Sequence, residues 1–127
     1  MLMVYNICPI AKPRMVHGDK WKKRPATNRY WNFCDLCRMR KINLPCCRGH
    51  VTFVLPMPES WSEKKKSQLE GLAHRNKPDL DNLIKALGDA IYKNDSGIWD
   101  IHATKLWGRE GKIIIETSDE LGRRGNG

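Results

Sequence analysis

Two aspartates one residue apart, a lysine four residues after the second, and another aspartate ten residues further on mark the stretch KPDLDNLIKALGDAIYKNDSGIWD, residues 77–100. They are Asp79, Asp81, Lys85 and Asp95. Carboxylates are hard oxygen donors, suited to Mg²⁺ or Mn²⁺ rather than to zinc. Three of them converging on one point would hold such an ion, reverse the local charge and so attract a phosphate. The ion would polarise a phosphodiester and activate a water. Lys85 would place a fixed positive charge beside the negative charge that develops in the transition state. The residue types point to phosphodiester chemistry, an arrangement shared by many nucleases and phosphotransferases.

The elements that must position these groups can be read from the apolar spacing. Leu80, Leu83, Ile84, Leu87 and Ile91 fall at i, i+3, i+4, i+7 and i+11, the stripe of one amphipathic helix. Pro78 and the acids suit its first turn, where carboxylates complement the helix dipole. One aspartate is enough for a cap, and two at i, i+2 exceed that need. Asp81 and Lys85, one turn apart, point to the same side. Asp79 lies just ahead of the helix, where it can converge on Asp81. The helix is expected to end near Lys93, with Asp95 in the turn KNDSG. A loop returning beside the helix would bring Asp95 towards the opening carboxylates.

The remainder reads as a single domain spanning residues 1–127, with 118–127 as a mobile tail. A strand covers 3–10 and leads into a polar basic loop around DKWKKRP. Thr27 caps a helix running to about Lys41 and stopped by Pro45, with Tyr30, Phe33, Cys34 and Cys37 on one face. HVTFVLP is a strand. Ser60 caps a short helix, with Glu63 completing a capping box. GIWDIHATKLW and GKIIIET are strands, paired across the turn WGREGK. The order β, α, β, α, α, β, β gives an α/β (α+β) fold, a small mixed sheet packed with helices. No apolar run reaches the length of a membrane span. MLMVYNICPIAK lacks the charged leader of a signal peptide and reads as the first strand of a cytoplasmic protein.

Charge is uneven. The formal net charge is +9, and residues 1–41 carry ten Lys and Arg against Asp19 and Asp35. Lys12, Arg14, Lys22 and Lys23, together with Lys77 beside the acidic motif, are the candidate phosphate contacts. A solvated basic face is the simpler alternative. The cysteines admit two readings. Cys34, Cys37, Cys47 and His50 have the spacing C-x2-C…C-x2-H of a structural zinc site. Cys34 and Cys37 also fit a helix face, and His50 opens a strand, so buried thiols acting as small apolar residues are favoured.

With these residues in view, KPDLDNLIKALGDAIYKNDSGIWDIHATK resembles the signature of the RusA family of Holliday-junction resolvases, endonucleases of phages and bacteria. Asp79, Asp81, Asn82, Lys85, Asp89, Ala90, Asp95, Asp100 and Lys105 occupy the pattern's positions in order. YNICPIAKPRM is similar to the family's opening strand and basic loop, with Arg14 in it. The resemblance implies a homodimer of mixed α/β fold that cuts four-way DNA junctions by paired nicks with Mg²⁺. It implies Asp79, Asp81 and Asp95 as essential carboxylates and Lys85 as the essential lysine, with Asn82, Asp89, Asp100 and Lys105 as candidates behind them. Asn94 stands where many members carry the first of two aspartates, and Pro78 where some carry a basic residue. Two other readings are a less selective branched or flap-DNA nuclease, and a non-catalytic zinc-containing DNA-binding protein.

Overall fold

The computed structural model describes residues 2–13, 25–44, 47–91 and 100–117. Seven elements follow one another: β1 (Leu2–Tyr5), α1 (Pro25–Met39), β2 (Gly49–Pro56), α2 (Glu63–Leu69), α3 (Leu80–Ile91), β3 (Ile101–Gly108) and β4 (Lys112–Thr117). The expected α+β order is the observed one. β1 is shorter than the expected strand over 3–10, because the chain leaves the sheet after Tyr5 to pack Ile7 into the core.

The four strands lie in the order β1-β4-β2-β3. β2 is parallel to β3 and antiparallel to β4, and β4 is antiparallel to β1. The expected β3–β4 hairpin is therefore wrong: the two strands run in opposite directions, but β2 lies between them. Val51 and Phe53 of β2 are each 1% exposed, whereas the same face of β3 carries Lys105 opposite Phe53. The most apolar strand takes the centre, and the one bearing a charge stays outside. Residues 109–111 cross tightly over the end of β2. A Cβ on Gly108 would sit 2.3 Å from Val54 Cγ1, so only glycine permits this approach.

Cross-strand partners share a face. One face presents Val51, Phe53, Leu55, Ile113 and Ile115 to the helices, forming one core with Tyr30, Phe33, Cys34 and Cys37 of α1 and Leu83, Ala86, Leu87 and Ala90 of α3. The helical stripes read from spacing are thus the buried ones. Arg38 of α1 donates from Nε to the Ala90 carbonyl at 3.0 Å, satisfying an acceptor in the last turn of α3.

The helix boundaries correct three expectations. α1 starts at Pro25, a residue suited to a first turn, so Thr27 lies within the helix rather than capping it. It closes before Pro45: Lys41 takes φ 53°, its N–H reaches the Arg38 carbonyl and the Ile42 N–H reaches that of Cys37. This is the bond pattern of a left-handed helix stop, sealed by the burial of Ile42 over Cys37. α2 is capped by Ser62, whose hydroxyl accepts from Lys65 N–H at 3.2 Å, not by Ser60.

Candidate functional site

The acidic motif sits where α3 begins. The Asp79 carbonyl accepts from Leu83 N–H at 3.2 Å, so Asp79 is the residue from which the helix starts and Asp81 lies in its first turn. Asp79, Asp81, Asn82 and Lys85 are all exposed, while Leu83, Ala86 and Leu87 of the same stretch are buried. The amphipathic helix thereby turns its functional side chains to solvent on a fixed backbone. Among the described residues, neither Asp79 nor Asp81 takes part in an ion pair. Two exposed carboxylates within one turn, with no soft donor beside them, suit a hard divalent cation. Asp95, Arg14, Lys22 and Lys23 lie outside the described residues.

One and then two turns further along the same face come Lys85 and Asp89. Asp89 is salt-bridged to Lys12 at 2.7 Å, each side chain about a third exposed. Lys12 also donates its backbone N–H to the Asn82 carbonyl at 3.4 Å. Lys12 is thus held against α3, and its charge is matched by Asp89. Lys77 is exposed in the loop before Asp79.

That loop is held from below. After α2, residues 71–74 run along the outer edge of β3: Gly71 N–H bonds to the Trp107 carbonyl, Trp107 N–H to Leu72, and His74 N–H to Lys105. The buried His74 stacks on Trp107 with ring centres 3.8 Å apart, and Trp107 packs on Trp61 at 4.8 Å. His74 Nδ1 accepts from Asn76 N–H at 3.3 Å. Burial, then the nearby Lys105 ammonium, lowers the His74 pKa, consistent with a neutral ring. Lys105 Nζ then donates to the Asn76 carbonyl at 2.5 Å and the Pro78 carbonyl at 2.6 Å. His74, Trp107 and Asn76 did not emerge from the sequence. The only trace of them is a charged residue on the inward face of β3, which the alternation exposes.

Asp100 does not join this group. Its Oδ2 accepts from Arg48 N–H at 3.1 Å and its Oδ1 lies 3.8 Å from His102 Nε2. With Arg48, His50, His102 and Glu116 it lines a shallow hollow of about 310 Å³ at the start of β3. Lys105 is five residues on, roughly 16 Å along a strand.

The cysteine cluster is distributed between core and surface. Cys34 and Cys37 are 1% and 0% exposed, and burial raises both thiols, Cys37 to about 12. Cys47 is half-buried, and His50 Nε2 bonds to Thr104 Oγ1 at 2.8 Å. Among the described residues, no three His, Cys, Asp or Glu side chains form a metal-holding group. Trp31 stands 46% exposed on α1, and Trp21 and Trp99 lie outside the described residues. No helix among the described residues is long and apolar enough to cross a membrane.

Comparison with known proteins places this geometry in context. The chain is 36% identical over 68 residues to the uncharacterized protein YqaN of Bacillus subtilis (strain 168), a match covering 47% of this chain and 48% of that protein. It thus spans about half the length of the curated relative it matches. No solved structure matches. The family model for endodeoxyribonuclease RusA matches residues 6–118, which take in every element from the end of β1 through β4. A match over nearly the whole chain, with the acidic motif on the exposed start of α3, shows that the protein belongs to the RusA endodeoxyribonuclease family.

Proposed function

We propose that this protein is a Mg²⁺-dependent, structure-selective DNA endonuclease that resolves four-way junctions by paired, symmetric nicks. The observation that carries the reading is the start of α3: Asp79 and Asp81 are exposed and without an ion-pair partner among the described residues, in a chain of the RusA family. Asp79, Asp81 and Asp95 would hold Mg²⁺, which would supply Lewis-acid activation of the phosphodiester and a water of lowered pKa. Mn²⁺ can take its place at the same oxygen donors. Lys85, on the same helix face, offers its ammonium to the pentacovalent phosphate. The rigid helix fixes the spacing between the Asp81 carboxylate and the Lys85 ammonium.

Lys77, Arg14, Lys22 and Lys23 bind the phosphates of the junction arms, while Lys12 is ion-paired to Asp89 of α3. A two-fold homodimer presents two such sites, one for each strand to be cut. The test is cleavage of a labelled synthetic four-way junction with and without Mg²⁺, beside the Asp81→Asn variant and a linear duplex. Symmetric nicks in the junction that disappear in the variant, with junction binding retained, are expected. Absence of cleavage under any divalent ion would overturn the proposal, and equal cutting of the duplex would replace it with a general nuclease.

A further inference from the structure

Lys105 occupies an unusual position for a charged residue. In the register of β3 on β2 it stands opposite Phe53, which is opposite Ile113 of β4 in turn. Phe53 and Ile113 are 1% and 0% exposed, so this row of the sheet belongs to the apolar core face. An ammonium launched from such a row loses hydration unless it finds acceptors. It finds two, the carbonyls of Asn76 and Pro78, at 2.5 and 2.6 Å from the same nitrogen. Pro78 directly precedes Asp79, and Asp79 starts the helix that carries Asp81. The two carbonyls flanking Lys77 are therefore tied to one nitrogen mounted on the central sheet.

We infer that Lys105 is a positioning residue for the metal-binding carboxylates: its ammonium clamps the 76–78 main chain to β3 and so sets the approach of Asp79 towards Asp81. This inference rests on the reading of Asp79 and Asp81 as metal ligands. Lys105 spends its donors on main-chain oxygens, in contrast to the exposed Lys77 and Lys85. Lys105 also differs from an ordinary structural lysine in that both its acceptors lie on the short loop leading into the ligands. Its neighbour on the other side reinforces the loop, since His74 accepts from Asn76 N–H. A single nitrogen serving two carbonyls also limits which side chains can substitute. A guanidinium keeps the charge but divides its donors over a planar fork, which cannot reproduce that geometry.

The experiment measures Mn²⁺ binding by electron paramagnetic resonance of the free ion, together with four-way-junction binding in EDTA. It compares the parent protein, Lys105→Met, Lys105→Arg and Asp81→Asn. Loss of a residue that orients metal ligands costs about tenfold or more in metal affinity. Lys105→Met is expected to weaken Mn²⁺ binding by about that factor, and Lys105→Arg by about half as much on a logarithmic scale. Junction binding should stay within twofold in both. The arginine variant retains the charge and so reads out the clamp even where the methionine variant fails to fold. Parental Mn²⁺ affinity in Lys105→Arg and Lys105→Met would overturn the inference. So would lost junction binding in Lys105→Met that Lys105→Arg restores, the signature of a phosphate contact. Unchanged Mn²⁺ affinity in Asp81→Asn would instead refute the ligand assignment itself, and the clamp would fall with it.

Discussion

Two groups of carboxylates lie at opposite ends of the segment joining α2 to α3, and the protein treats them in contrasting ways. Glu63 and Glu70, on and just after α2, are both taken by Arg109, which also donates to Ser67 at 3.2 Å. Asp79 and Asp81, at the start of α3, are exposed and have no ion-pair partner among the described residues. Glu63, like Asp79 and Asp81, lies near a helix start, where acid complements the dipole, whereas Glu70 follows the last turn of α2. The difference lies in what surrounds it. At α2 the chain supplies the counter-charge itself and closes the account of charge internally. At α3 it supplies a lysine one turn on and a second lysine that holds main-chain oxygens, and leaves the carboxylates open to a cation from outside. An acidic pair that the fold does not neutralise is a site for something the fold does not contain.

The sharpest way to break this contrast is to remove one open carboxylate and ask what is lost. Asp81→Asn keeps size and helix position while halving the charge of the pair. If the site works through a metal ion, junction cleavage should fall by about 10³-fold or more, equivalent to roughly 4 kcal/mol of transition-state stabilisation. Stability, read by urea unfolding, should move by no more than about 0.5 kcal/mol, because an exposed side chain with no internal partner is deleted. A large loss of stability with modest loss of cleavage would make Asp81 a structural cap like Ser62.

Next in size is the crossover that delivers Arg109. Gly108→Ala would push a Cβ to 2.3 Å from Val54 Cγ1, and Gly111→Ala would bring one to 2.6 Å from Cys8 Cα. At Gly111 the obstacle includes main chain, so relief requires the segment after β1 to shift. Overpacking of this kind costs about 1–3 kcal/mol, with Gly111→Ala the worse of the two. Thermal unfolding of both variants checks this. Cleavage measured well below the midpoint should persist, since neither glycine touches the start of α3.

The region between the two acidic groups responds to pH through His74. Its native pKa is lowered by burial and by the Lys105 ammonium, while in the unfolded chain it returns to about 6.5. Between those values the unfolded state binds the proton and the native state does not, so stability rises with pH. The cost is absent above about 6.5, grows as the pH falls towards the native value, and then levels off. His74→Phe preserves the stack on Trp107 and removes the titration. Urea unfolding at pH 7.5 and pH 5.5 should show a smaller decline in the variant than in the parent, and equal declines would assign the acid sensitivity elsewhere.

The difference between the two regions also decides how much was legible in the sequence. The α3 motif was readable because its signals are local: the apolar stripe, the acids before it and Lys85 four residues on are all fixed by helical period. The thiol stripe of α1 was readable for the same reason. The β3–β4 pairing was not, because a three-residue connection suggests a hairpin and nothing local reveals that β2 intervenes. That choice is made by comparing the inward faces of all four strands, where Val51 and Phe53 outcompete a row containing Lys105. Ser62 displaced Ser60 as the α2 cap for a smaller reason, since its hydroxyl meets Lys65 N–H in the first turn. Lys105 was a candidate behind the carboxylates, but its partners and the place of His74 were invisible, because main-chain atoms carry no sequence signal.

The smallest expected effect completes the contrast. Arg109→Ala removes the cation that Glu63 and Glu70 share, leaving two acids at α2 as open as Asp79 and Asp81 are at α3. The network is solvent-exposed and salt screens it, so the loss of stability should be slight at low ionic strength and vanish as salt is raised. Cleavage should be unchanged. The informative measurement is Mn²⁺ binding by the double variant Arg109→Ala, Asp81→Asn. If freeing any pair of acids were enough to hold a divalent ion, Mn²⁺ affinity would reappear at Glu63 and Glu70. It should not, because those carboxylates lack what α3 provides: acids two residues apart at one helix start and a loop tied to the sheet immediately before them. Openness is then necessary at the α3 site, and the clamped geometry is what makes it sufficient.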